Sequence, residues 1–177
     1  MKTLKKISIC LSLLFFTLCN TGYANGSDKV HSKKPMTVEE IYEVEGYTTF
    51  KEATKEFEER FKSKIELPKS IPFKVKYKYG KFEEKNSKVT YEYSGEDFSG
   101  DFLSVVVTLK TLGKFKGGYT FHTKNGTEVY INENPHPDLH TMLSFKKGNL
   151  YYYIVLHFHN KDLEKEKILE IANSLSI

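Results

Sequence analysis

The central part of the chain alternates apolar and polar residues in several short runs, and this period of two limits the fold more than any other feature. In residues 73–79 aromatic and aliphatic side chains alternate with lysines, and residues 88–93 repeat the pattern with valine and tyrosine. Alternate residues of a β-strand face opposite sides of a sheet, so both runs predict half-buried strands. Asn86-Ser87 is a plausible turn between them.

The remaining apolar runs predict a sheet that continues to the end of this region. Residues 102–109 are nearly all apolar and predict a central strand. A hairpin turn at Lys147-Gly148-Asn149 leads into a last strand at residues 150–159. Its segment 151–158 is long, apolar and uncharged, and an exposed edge of that kind would invite aggregation, so we expect it to be central or covered. Two shorter runs predict further strands, at residues 128–131 and 142–145.

Helical patterns lie on both sides of these strands. Thr49-Phe50-Lys51-Glu52 is a capping box, in which a hydroxyl and a carboxylate satisfy each other's exposed amides, and it begins a helix that continues to about residue 63. Lys161-Asp162 begins a closing helix, and residues 37–44 indicate a short one. The sequence therefore predicts the α+β class, with a single antiparallel sheet of about five or six strands and an N-terminal and a C-terminal helix packed on one face.

The first residues have the pattern of a secretory signal peptide. An apolar stretch of about a dozen residues, 7–18, is short for a membrane span but typical of a signal. Thr21-Gly22-Tyr23-Ala24 places small residues at the positions that favour cleavage after Ala24. The preceding n-region is positive and contains no acid, its lysines being Lys2, Lys5 and Lys6.

This pattern divides the chain into a signal peptide at residues 1–24, a flexible spacer at 25–36 and a single domain at 37–177. We expect a secreted protein that meets the membrane only through its signal. The alternative is a lipid anchor at Cys19, which would hold the domain at the outer face of the cytoplasmic membrane. Leu18 stands where a lipoprotein signal carries a small residue, so release after Ala24 is the preferred prediction.

Cysteine and charge exclude several function classes. Both cysteines, Cys10 and Cys19, lie in the signal, so the mature chain has no disulfide, zinc–thiolate site or cysteine nucleophile. The chain has 27 basic and 23 acidic residues, and loss of the three signal lysines leaves a net charge of about +1. Phosphate recognition needs a concentrated basic surface, so we expect no nucleic-acid partner.

Histidines are the sharpest candidates for chemistry. His157 and His159 are two residues apart on a predicted strand, and His136 and His140 flank Pro137-Asp138 in the loop before it. If the loop folded over the strand, the four imidazoles could converge on zinc, copper or nickel. The spacing matches no compact metal motif, and the alternative is that these histidines only mark the exposed end of a strand.

Other motifs are weaker. Residues 97–101 offer alternating oxygen ligands, but Phe102 and Thr108 stand where a calcium loop needs glycine and glutamate, which favours a polar turn. The glycines of residues 113–118 lack the ending of a phosphate-binding loop and indicate a connection. The chain has no Gly-x-Ser-x-Gly nucleophile motif, so an enzyme is unsupported and we expect no cofactor.

Three stretches together carry a resemblance to a known family. They are Leu67-Pro68 with Pro72 behind the first long helix, Leu143-Ser144-Phe145-Lys146-Lys147-Gly148-Asn149-Leu150-Tyr151, and the ending Ile171-Ala172-Asn173-Ser174-Leu175. Over residues 49–177 the chain resembles the extracytoplasmic domain of unknown function 4367, a secreted or membrane-tethered module of spore-forming Gram-positive bacteria. The resemblance implies a non-catalytic sensing or interaction role and transfers no site residue.

We therefore expect a secreted or cell-envelope-associated binding or sensing module that is not catalytic. Its partner would be an envelope protein or a small ligand, held in a concave pocket or on an exposed aromatic patch. One alternative is an extracytoplasmic metal-binding protein that uses the histidine cluster. A second is an envelope hydrolase, which would need paired carboxylates in a pocket.

Overall fold

The computed structural model describes residues 35–96, 100–113, 117–132 and 140–175. The chain divides into two units, Met1–Pro35 and Met36–Ile177, and every element described here lies in the second. Within the described residues the helices are α1 (Val38–Val44), α2 (Phe50–Phe61) and α3 (Lys161–Ser174). The strands are β1 (Tyr77–Glu83), β2 (Lys88–Ser94), β3 (Phe102–Thr108), β4 (Tyr119–His122), β5 (Glu128–Asn132), β6 (Thr141–Lys147) and β7 (Leu150–His157).

The strands form one antiparallel sheet in the order β1-β2-β3-β7-β6-β5-β4, which confirms the predicted α+β class. Two meanders, β1 to β3 and β4 to β7, meet where β3 pairs with β7. The sheet has seven strands in the described residues, where we expected about five or six. The additional strand, β4, is only four residues long and largely exposed, too short to give a readable period.

The register of the strands separates the sheet into two faces. Across the five strands from β1 to β6, Gly80, Tyr91, Val105, Ile154 and Leu143 lie side by side, and all five are buried. We call this side the helix face, because α2 and α3 pack on it. The residues between them in sequence point to the opposite side, which we call the open face.

The predicted capping box explains where α2 begins. The Thr49 hydroxyl accepts the amide of Glu52, and the Glu52 carboxylate accepts the amide of Thr49 at 3.2 Å. The helix then buries Phe57 against the sheet, and the hydroxyls of Thr54 and Tyr91 are 2.7 Å apart. This hydrogen bond lies among apolar side chains, and it fixes the position of α2 on β2.

A buried acid attaches α3 to the same face. Glu164 accepts hydrogen bonds from the hydroxyl of Thr141 at 3.0 Å and from the amide of Phe158 at 3.3 Å. Without these hydrogen bonds, the polar groups would be buried without a partner, which destabilises a fold. Further along α3 and directly after its end, apolar side chains complete the core, namely Ile168, Ile171, Ala172 and Leu175.

The strand predicted at residues 73–79 was placed wrongly: β1 is Tyr77–Glu83, because pairing with β2 sets its bounds, and its Tyr79 lies on the open face. Two predicted turns and the predicted central position of the last strand are confirmed. Ser87 adopts a left-handed backbone between β1 and β2, and Gly148 does so between β6 and β7. Strand β7 lies in the middle of the sheet, as its apolar sequence requires.

Close approach of α2 to β1 gives a testable consequence at Gly80. A Cβ atom there would lie 2.7 Å from the Cβ of Ala53, closer than two carbon atoms can pack. We expect Gly80→Ala to lower the free energy of unfolding by about 1–3 kcal/mol, measured by chemical denaturation. Adding Ala53→Gly should recover part of the loss, although glycine in a helix costs about 1 kcal/mol. A Gly80→Ala protein as stable as the original would contradict this packing.

Candidate functional site

The connection from β3 to β4 crosses the open face. Strand β3 lies in the middle of the sheet and β4 at one edge, so the chain must pass β7, β6 and β5 to connect them. The structure describes residues 109–113 and 117–118 of this segment, which we call the crossover. A long connection over one face leaves a space between itself and the strands below.

Two tyrosines of the open face hold the crossover. The hydroxyl of Tyr153 on β7 accepts the amide of Leu112 at 2.5 Å, and the hydroxyl of Tyr130 on β5 accepts the amide of Gly118 at 2.9 Å. A Cβ atom at Gly118 would lie 2.6 Å from the ring of Tyr130, so only glycine allows the backbone to lie on that ring.

A groove of about 430 Å³ lies between the crossover and strands β5, β6 and β7. This volume is within the range of roughly 300–1,000 Å³ that small-molecule sites occupy. Its aromatic walls are Tyr130, Tyr151 and Tyr153, and its hydroxyl groups come from Thr111, Thr127 and Ser144. We call it the crossover groove.

Among the described residues that line the crossover groove, one carries a positive charge and one a negative charge. Glu128 and Lys146 both line it, and the Lys146 ammonium lies 5.3 Å from the ring centre of Tyr151. Of the described lining residues, Glu128 is the one that carries a carboxylate. The described lining thus combines ring faces, hydroxyls and one charge of each sign, which suits recognition of a polar ligand; it contains one carboxylate, whereas a glycoside hydrolase needs two.

The structure brings two of the four predicted histidines together. The rings of His140 and His157 are 5.0 Å apart between centroids and meet edge to face, and Phe102 contacts both at 5.1 and 5.6 Å. His136 falls outside the described residues, as does Asp138. Within the described ranges, no group of three or more histidine, cysteine or acidic residues is arranged to hold a metal.

His159, the fourth predicted histidine, contacts a carboxylate. Its Nδ1 lies 2.7 Å from Oδ1 of Asp101, and the same oxygen accepts the His159 amide at 2.9 Å. This pair lies in a second cleft of about 500 Å³, where Glu96 is paired with Lys74 at 3.3 Å. Both acids among the described residues of this cleft therefore have basic partners.

The two other predicted motifs lie only partly within the described residues. Residues 97–99 of the proposed polar turn lie outside the described residues, so that prediction stays untested. The glycine-bearing segment 113–118 belongs to the crossover, in agreement with its interpretation as a connection.

The sequence did not point to the crossover groove. Three consecutive tyrosines, residues 151–153, are alike in sequence, yet Tyr152 is in the core and its two neighbours line the groove. Because neighbouring strand residues face opposite sides, the sequence could have placed Tyr152 on one face and Tyr151 and Tyr153 on the other. It could not have shown which face the helices cover.

Comparisons with known proteins found no family model, no curated protein and no solved structure that matches this chain. The resemblance to the extracytoplasmic domain of unknown function 4367 stays a prediction. Across the described parts of the chain, none of the helices combines the length and apolar character needed to cross a bilayer.

Proposed function

We propose that this chain is an exported, non-catalytic binding module, and that the crossover groove is its ligand site. The observation that carries the proposal is the convergence of three tyrosine rings and three hydroxyl-bearing side chains in one groove. The groove is built on β5, β6 and β7, with the crossover as its other wall, and side chains on regular strands are held more firmly than side chains on loops.

The mixture of groups favours a ligand with a flat apolar face and many hydrogen-bonding groups. A sugar ring has both, since its C–H groups can lie on an aromatic ring while its hydroxyls bond to polar side chains. Among the described lining residues, the opposite charges of Glu128 and Lys146 favour a neutral ligand over a strongly charged one. We therefore propose a glycan unit as the ligand class, which an exported module would meet at the cell envelope.

Tyr151 provides the direct test of the groove. Its half-buried ring lines the groove, and its hydroxyl does not provide either of the crossover contacts described above, so Tyr151→Ala should spare the fold. We expect a soluble tetramer of β-1,4-linked N-acetylglucosamine to bind the mature protein, and Tyr151→Ala to raise its Kd at least about fivefold, since stacking is worth about 1 kcal/mol or more.

The matched control is Tyr119→Ala, which removes a tyrosine that is 37% exposed on β4 and does not line the groove. Calorimetric titration of the three proteins measures the effect. An equal loss of affinity in both variants would contradict a site in the groove. So would an NMR titration in which the ligand shifts amides of α2 and α3 instead of amides at the groove.

Export is the part of the proposal that rests on the N-terminal pattern alone. Lys2, Lys5 and Lys6, the apolar stretch and the small residues before Ala24 support release of a chain that begins at Asn25. Intact mass measurement of the protein recovered from the culture medium should give that chain. A cell-bound form with a lipid on Cys19 would support anchoring, and an uncleaved intracellular chain would contradict export.

The contact of His140 with His157 favours a second candidate function, binding of a transition metal. Imidazole nitrogens suit zinc and copper, but a stable site needs further ligands, and His136 is the predicted third one. This candidate accounts for the histidines and leaves the crossover groove without a role.

Calorimetric titration with zinc and copper distinguishes the two functions. If metal binding is the function, His140→Asn and His157→Asn should each weaken binding at least about tenfold, since each removes one ligand. His122→Asn, an exposed histidine on β4, is the control and should bind as the original protein does. No heat from the original protein would end the metal hypothesis.

A further inference from the structure

Helix α1 covers the open face at the opposite end of the sheet from the crossover groove. It has seven residues, none of them buried, although Thr37 and Glu40 form a capping box at its start. Isolated helices shorter than about twelve residues are only marginally stable in water. Contacts with the sheet must therefore supply most of the stability of α1.

Those contacts combine a ring stack with backbone hydrogen bonds. The ring of Tyr42 stacks on Tyr79 of β1 at 4.3 Å and meets the edge of Tyr47 at 5.0 Å. The backbone of Thr48 exchanges two hydrogen bonds with Gly80, at 2.7 and 2.9 Å. We call residues 37–48 the latch.

A carboxyl group lies beneath the latch. Oε1 of Glu92, on β2, accepts the hydroxyl of Ser104 at 3.1 Å, and the hydroxyl of Tyr47 lies 3.4 Å from the same atom. The second of these bonds is long, and both donors are neutral. Among the described residues, no hydrogen bond or ion pair joins this carboxyl group to a cation, so its ionised form would lack the charged partner that offsets desolvation.

The surrounding charges do not supply that partner. Glu45, at the end of α1, adds negative potential, and the ammonium of Lys81 donates to the Glu45 carbonyl at 2.6 Å while lying 5.4 Å from the ring centre of Tyr47. Burial, reinforced by Glu45, raises the pKa of Glu92 to about 7. Burial and the charge of Glu92 raise the pKa of Tyr42 to about 12 and also raise that of Tyr47, so both rings stay neutral.

We propose that the latch is pH-sensitive: it docks on the sheet while Glu92 is protonated and is released when Glu92 ionises. Release would place the Glu92 carboxylate in water and uncover the β1–β2 part of the open face. The latch lies at the opposite end of the sheet from the crossover groove, so its pH dependence does not depend on the function of the groove.

The sign of the effect follows from proton binding. The docked state holds the Glu92 proton more tightly than the released state, in which the carboxyl has its ordinary pKa of about 4.5. Docking is therefore strongest below pH 4.5, weakens as pH rises through the docked value near 7, and levels off above it. The docking equilibrium can fall by up to about tenfold per pH unit inside that interval.

Amide hydrogen exchange measures docking directly, because the Thr48 and Gly80 amides are protected by the bridge between them. In the mature protein, protection of Thr48, corrected for the intrinsic rate, should fall at least about tenfold between pH 5 and pH 8. Val105 in the core reports whether the sheet itself stays folded. In Glu92→Gln, which is neutral at every pH, Thr48 should stay protected throughout.

The matched control is Glu56→Gln on the exposed side of α2, which should keep the pH dependence of the original protein. A flat profile in the original protein, or the same fall in Glu92→Gln, would overturn the proposal. If Glu92→Gln does not fold, titration of the Glu92 carboxyl carbon by NMR replaces it. A midpoint well above 4.5 that coincides with loss of Thr48 protection supports the latch, whereas a midpoint near 4.5, or a raised midpoint without that loss, refutes it.

Discussion

Pairing between β3 and β7 is the interaction on which the rest of the structure depends. It joins the β1–β3 and β4–β7 meanders through seven consecutive residue pairs, from Phe102 with His157 to Thr108 with Tyr151. Because β3 pairs with the last strand of the second meander, the chain must cross three strands to begin β4 at the far edge. The crossover, and the groove beneath it, are direct consequences of this pairing.

The same pairing aligns the two meanders so that their apolar residues share one face. Helices α2 and α3 cover that face, and Thr54 and Glu164 fix each helix through a polar contact with the sheet. The opposite face carries tyrosines, hydroxyls and a few charges, and it is covered only in part, by the crossover at one end and α1 at the other. One face therefore stabilises the fold, and the other is where binding and its control can occur.

Much of this architecture could be predicted from local chemistry. The capping box at Thr49 and Glu52 located the start of α2, and the turn at Gly148 located the β6–β7 hairpin, because each depends on residues close in sequence. Strand β4 was missed because four residues are too few to show a period.

The candidate site could not be predicted in the same way. The opposite positions of Tyr152 and its neighbours depend on register, which pairs residues far apart in sequence. The histidines show the same limit: His140 meets His157, as the metal hypothesis requires, while His159 instead contacts Asp101. Nothing in the sequence indicated a role for Glu92, since the residues that surround it come from the latch, β1 and β3.

The central claim is that the open face is the functional face of the sheet. Screening a protein of residues 25–177 with a library of small fragments, followed by amide chemical shift mapping, tests this claim most directly. The account predicts that the shifted amides cluster around the crossover groove, near Tyr130, Ser144 and Tyr151. Fragments that instead collect on the exposed sides of α2 and α3, and leave the groove unchanged, would contradict it.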